Sequence, residues 1–223
     1  MRADPTGRHF ANARIGEVSS GGIGPHDIKL LPNGRLVVAN GGIDTHPESG
    51  RAKLNLATMR PNLTYLSVDG QVLETVELEE GLRLNSIRHL AVDGAGRVGM
   101  AMQWQGDVSE EVPLLAVHDA QTSSLTIGAA EHQRSLQGYV GSIAMAGGAV
   151  AITSPRGSLA QIYTVNGLDL SHQIERPDIC GVAAFGQSFV TTTGDGLFER
   201  HDRLHEAKEI ALSWDNHLVG LST

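Results

Sequence analysis

The sequence predicts an all-β chain folded as a β-propeller of about four four-stranded blades plus a final inner strand, arranged as an incomplete ring. Three observations predict it. Helical periodicity is almost absent. A short apolar run, a Gly/Asp/Asn turn and a second short run recur along the chain, which is the hairpin signature. Each such hairpin is followed by two further strands, so the repeat has a four-strand phase, as propeller blades do.

The repeat is clearest at 26–41, where HDIKLL and RLVVANGG flank PNG, and Asn33-Gly34 is expected to supply the positive φ of a tight turn. It returns as SIRHLAV-DGAG-RVGMAMQWQG at 86–106, VGSIAM-AGG-AVAITSPRG at 140–157 and ICGVAA-FGQ-SFVTTTGDG at 179–196. The paired outer strands are LTYLSV with QVLETVEL, PLLAVHD with SLTIGAA, AQIYTV with LSHQIE, and GLFERHD with AKEIAL. Anchors at Asp27, Leu90, Ile143, Val182 and Leu218 are 63, 53, 39 and 36 residues apart, the first interval being lengthened by an insertion. The expected layout is one partial domain over 1–223. It has an outer strand at 13–20, blades at about 25–80, 86–130, 139–176 and 179–212, and a final inner strand at 214–222. A β-sandwich also has many short strands, but it does not predict a recurring four-strand phase.

Composition excludes several classes. Lys+Arg is 17 against Asp+Glu 25, a net charge of -8, which argues against a nucleic-acid surface, since that needs a basic stripe. No apolar run approaches the ~20 residues of a membrane span. The first residues, MRADPTGRHFANARIG, hold no apolar stretch and do not read as a signal peptide. A single cysteine, Cys180, excludes an internal disulfide and any CxxC motif. GxSxG and HExxH are absent, as is a glycine-rich loop leading into a helix.

The strings GIGPHDIKLLPNGRLVVANGGIDTHPESGRAKLNLATM, SIRHLAV, QWQG, TSPRG, CGVA and WDNHL occur in this order. Together, from about Gly16 to Leu218, they resemble the bacterial domain-of-unknown-function family 1513. The resemblance implies a seven-bladed propeller exported to the periplasm by the twin-arginine route, in a genetic setting of iron-uptake components and imelysin-like peptidases. Upstream blades and an export signal are missing from this sequence, so the chain reads as the C-terminal part of such a propeller. Open blade edges would then favour self-association.

Candidate ligand residues fall in three places. The insertion at 40–62 carries Asp44, His46, Arg51 and Lys53, which suit an anion or a metal. Its Leu54, Leu56 and Met59 are spaced to dock it as a brace. Arg156, after a second strand, could present a planar guanidinium at the propeller mouth or tie two blades together by a salt bridge. His26, His89 and His217 each precede an innermost strand, so blade symmetry brings them to similar heights on the axis. Three imidazoles there suit a transition metal in the complete ring, although a histidine on an inner strand can equally cap backbone. His118, His132, His172, His201 and His205 read as surface residues, Trp104 as interblade packing and Cys180 as an inert buried thiol. The leading functional expectation is a non-enzymatic propeller binding a metal, a small anion or a protein partner. The alternatives are a lactonase-like hydrolase, for which Asp27, Asn85 and Asn216 are the available axial donors, and a pure interaction scaffold.

Overall fold

The computed structural model describes residues 16–45, 48 and 53–220. Sixteen strands form four antiparallel four-stranded sheets, each in simple meander order. The first holds β1 (Pro25–Leu30), β2 (Leu36–Asn40), β3 (Asn62–Leu66) and β4 (Val72–Glu77). The second holds β5 (Asn85–Val92), β6 (Val98–Trp104), β7 (Leu115–Asp119) and β8 (Ser124–Ile127). The third runs through β9 (Ser142–Ala146), β10 (Ala149–Ser154), β11 (Leu159–Thr164) and β12 (Leu170–Glu175). The fourth is β13 (Ile179–Phe185), β14 (Ser188–Thr193), β15 (Leu197–Arg200) and β16 (Ala207–Glu209). These are propeller blades, and their first strands β1, β5, β9 and β13 contact one another in succession. Residues 16–20 and 214–220, the described parts of the expected outer and final inner strands, belong to no strand.

Turn chemistry explains the hairpins. At Leu31–Arg35 the Gly34 N–H reaches the Leu31 carbonyl at 2.9 Å, and the Leu31 N–H reaches that of Arg35 at 2.8 Å. Only Gly34 has a positive φ, +83°; Asn33 does not. The turn is therefore a three-residue type with glycine at its left-handed position, rather than the two-residue Asn-Gly turn expected. Ser67–Gln71 and Asp93–Arg97 repeat it, with Gly70 and Gly96 in the same role.

The core lies between blades. Leu63, Tyr65, Ile87, Met100 and Met102 fill the space between the first two sheets, and Leu114, Leu136, Ile152 and Tyr163 that between the second and third. Tyr65 is fully buried, and its hydroxyl hydrogen-bonds His118 Nδ1 at 2.7 Å across the first interface. His118 is thus a buried interblade residue, not the surface histidine its outer-strand position suggested. His201 is also partly buried, on the Thr191 hydroxyl. Trp104 packs against the second interface and donates to the Asp107 carbonyl and Glu110. Among the described residues no helix is long and apolar enough to cross a membrane.

Candidate functional site at the inner strands

Strand pairing reveals a feature that alternation alone hides. In β1, Pro25 faces Asn40 and Asp27 faces Ala39; in β5, Ile87 faces Met102 and His89 faces Ala101. His26 and Arg88 are therefore the extra residues of β-bulges at the same point of successive blades, and Cys180 occupies that point in β13. His89 corresponds to Asp27, so the equivalence drawn between His26 and His89 is off by one residue. Bulges bend a strand and re-aim its side chains, and here they couple the blades. The Asp27 carboxylate accepts the Leu90 N–H at 2.9 Å, and Ser142 makes the corresponding contact with the Val182 backbone.

Despite the shifted phase, the three histidines meet. The rings of His26 and His89 lie edge to face with centroids 4.9 Å apart, and those of His89 and His217 are also 4.9 Å apart. His89 is buried in the middle, while His26 and His217 are exposed on either side of it. His217 comes from the 214–220 segment, which lies against β13: Leu218 and Asp215 line the backbone at Gly181. The His26 Nδ1 sits 2.9 Å from the Arg88 carbonyl oxygen. A carbonyl only accepts, so Nδ1 carries the proton and Nε2 keeps its lone pair. Burial, reinforced by His26, His217 and Arg88, holds the His89 pKa down at about 3; burial also lowers that of His26. Burial thus favours the neutral imidazole form of His89 and, in the same direction, of His26. Among the described residues, however, no group of three or more His, Cys, Asp or Glu side chains is already arranged to hold a metal ion.

The other candidates lie elsewhere. Asp44 and Lys53 are exposed at the base of the 40–62 insertion, where Asn55 braces the loop by accepting the Asp44 N–H at 2.7 Å and donating to the Gly42 carbonyl at 2.9 Å. His46 and Arg51 fall outside the described residues. Met59 is fully buried, but Leu54 is 54 % exposed, so the docking expected of Leu54 does not occur. Arg156 makes no salt bridge to a described residue; its guanidinium stacks 4.3 Å above the Tyr139 ring. Cys180 is buried, and burial pushes its thiol pKa up, as expected of an inert thiol. Two residues at the inner strands carried no signal in the sequence. Arg88 was hidden because a bulge cannot be read without the partner strand, and Tyr139 because it precedes its strand in a loop.

Four meander blades whose first strands converge, with polar side chains gathered where they meet, define a β-propeller with a candidate axial site. The chain belongs to the DUF1513 family, proteins of unknown function, whose model matches residues 7–221. No curated protein matches. Among solved structures the chain is similar in fold to BamB from Moraxella catarrhalis, at 10% identity and a TM-score of 0.59, covering 91% of this chain and 53% of that one. It is similarly related to the RRP9 WD40 repeats, at 11% identity, a TM-score of 0.58 and coverage of 86% and 53%. Saccharomyces cerevisiae Sqt1 follows at 12% identity, a TM-score of 0.56 and coverage of 80% and 44%. The chain spans about half the length of these propellers.

Proposed function

We propose that this chain is the ligand-binding part of a non-catalytic periplasmic propeller, and that its axial histidines take up a transition-metal ion. The observation that carries the reading is the meeting of His26, His89 and His217, drawn from positions far apart in sequence, within 4.9 Å between neighbouring ring centroids. Neutral imidazole suits iron, copper and zinc. The tautomer of His26 supports the reading, because a ligating histidine commonly donates its other N–H to a carbonyl. Binding requires the rings to close on the ion, with each nitrogen about 2.0–2.1 Å from zinc. His26 and His217 are exposed and have room to turn; His89 is the fixed member. The periplasmic setting and a role in iron acquisition rest on the family resemblance and form part of the proposal.

A hydrolytic metal centre has less support. Asp27 is engaged by the Leu90 and Ile28 N–H groups and by Lys29, and Asn216 by Tyr139. Asn85 is wholly buried, with its amide on the Pro113 carbonyl. Calorimetric titration of metal-free protein with zinc tests the proposal. One equivalent should bind, and His26→Ala or His217→Ala, both at exposed positions, should each weaken it by roughly tenfold or more. No binding, or binding indifferent to both substitutions, would rule the site out.

A further inference from the structure

The inner strands repeat one interface position. With Asp27, His89, Ser142 and Gly181 aligned, the next residues are Ile28, Leu90, Ile143 and Val182. Three of these pack on the preceding blade. Leu90 shares a core with Val37 and Leu63 of the first blade, Ile143 with Leu115 and Val117 of the second, and Val182 with Ala144 and Ala151 of the third. They are 2 %, 9 % and 1 % exposed. Ile28 holds the same place in the first blade and is 54 % exposed, with Leu30 beyond it at 67 %.

The face that carries Ile28 is built like the faces that are covered. Ile28 pairs with Val38 and Val38 with Thr64; Leu30 pairs with Leu36 and Leu36 with Leu66, so two uncharged rows cross β1, β2 and β3. The segment before β1 covers only their outer part: the Ser20 carbonyl accepts the Asn40 amide at 2.9 Å, and Gly21 rests on the Thr64 side chain. Between that segment and β1 runs a groove of about 360 Å³, whose apolar walls are Val18, Pro25, Ile28, Val38 and Leu66. Contiguous apolar surface rimmed by polar groups marks an interaction site.

The fourth blade is different. Val182 faces the third blade, so Gly181 faces outward, and there Leu218 and the Asp215 carbonyl of the 214–220 segment lie over it. Ala183, Val190 and Thr192 on the same face are buried. A head-to-tail contact between copies, first blade on fourth, would meet this segment rather than an open sheet. The uncharged face of the first blade can meet its own copy without such an obstacle. We propose that this face is the interface of a two-fold homodimer, in which β1 and its groove pack on the same surface of a second copy. The contact continues between chains the sheet-on-sheet packing that joins the blades within one. Isologous two-fold contacts are the commonest in homo-oligomers, and they close at two copies. The interface does not depend on the metal reading.

Sedimentation equilibrium of the 223-residue chain, in chelator so that failure of the metal site leaves the result readable, should fit monomer and dimer with no larger species. Leu30→Glu sets like charges against each other and should weaken the dimer roughly tenfold or more. Leu204→Glu, at an exposed position of the fourth blade, should leave it unchanged. Both side chains are exposed, so both variants should melt with the wild type at low concentration. A bifunctional thiol reagent should link Leu30→Cys into dimers but not Val219→Cys, which lies exposed on the 214–220 segment. A wild type that is monomeric up to about 1 mM, open-ended growth, linkage through Val219→Cys instead, or a dimer indifferent to Leu30→Glu would each overturn the proposal.

Discussion

His89 shows how a single residue acquires a property that its sequence neighbours do not announce. Its pKa of about 3 comes first from burial and then from His26, His217 and Arg88. In the unfolded chain a histidine titrates near 6.5. Between these values the unfolded state binds a proton that the folded state refuses, so stability is intact above about pH 6.5 and is lost as pH falls toward 3. Burial lowers His118 and His201 as well, with the same sign. Urea denaturation at pH 7 and pH 4.5 should show wild type losing more stability on acidification than His89→Gln, which cannot charge. Equal losses would mean that His89 protonates freely in the fold. The presence of His26, His89 and His217 near inner strands was legible in the sequence because the blades repeat. The exclusion of water from His89, and the Tyr65–His118 pair, were not, because both depend on contacts between blades.

At the scale of elements, glycine-coded turns made the hairpins readable: Gly34, Gly70 and Gly96 hold the left-handed position that ends each turn. Bulges carry no such mark. Whether His26 or Asp27 is the extra residue of β1 is decided by its pairing with β2, and the one-residue error in phase followed directly from this. The 40–62 insertion was placed correctly between β2 and β3, but alternation misjudged which of its apolar residues dock. Met59 is fully buried and Leu54 largely exposed. Met59→Ala should therefore cost about 2–5 kcal/mol, whereas Leu54→Ala should fall within about 0.5 kcal/mol of wild type. Chemical denaturation of the two variants checks this, and a reversed order would mean that the loop is anchored at its other end.

Across the whole molecule the four-blade order was legible because each blade is a local meander, with strands paired to their sequence neighbours. The first blade nevertheless leaves apolar side chains exposed. Ile28 and Leu30 on β1 are 54 % and 67 % exposed, and Val18 and Val72 are exposed nearby. Apolar β surface of this kind favours pairing with another chain. Sedimentation velocity should show association that grows with concentration and is reduced by Leu30→Glu; a wild type that stays monomeric throughout would contradict this. The axial cluster makes the stronger claim, since it requires inner strands of different blades and the 214–220 segment to converge. Nitrogen-detected NMR of the imidazole rings during zinc titration addresses it most directly. The account predicts that His26, His89 and His217 shift together and saturate at one equivalent, while His89 remains unprotonated in the metal-free protein down to about pH 4. Shifts confined to the other histidines, or a His89 ring that protonates near its ordinary pKa, would contradict it.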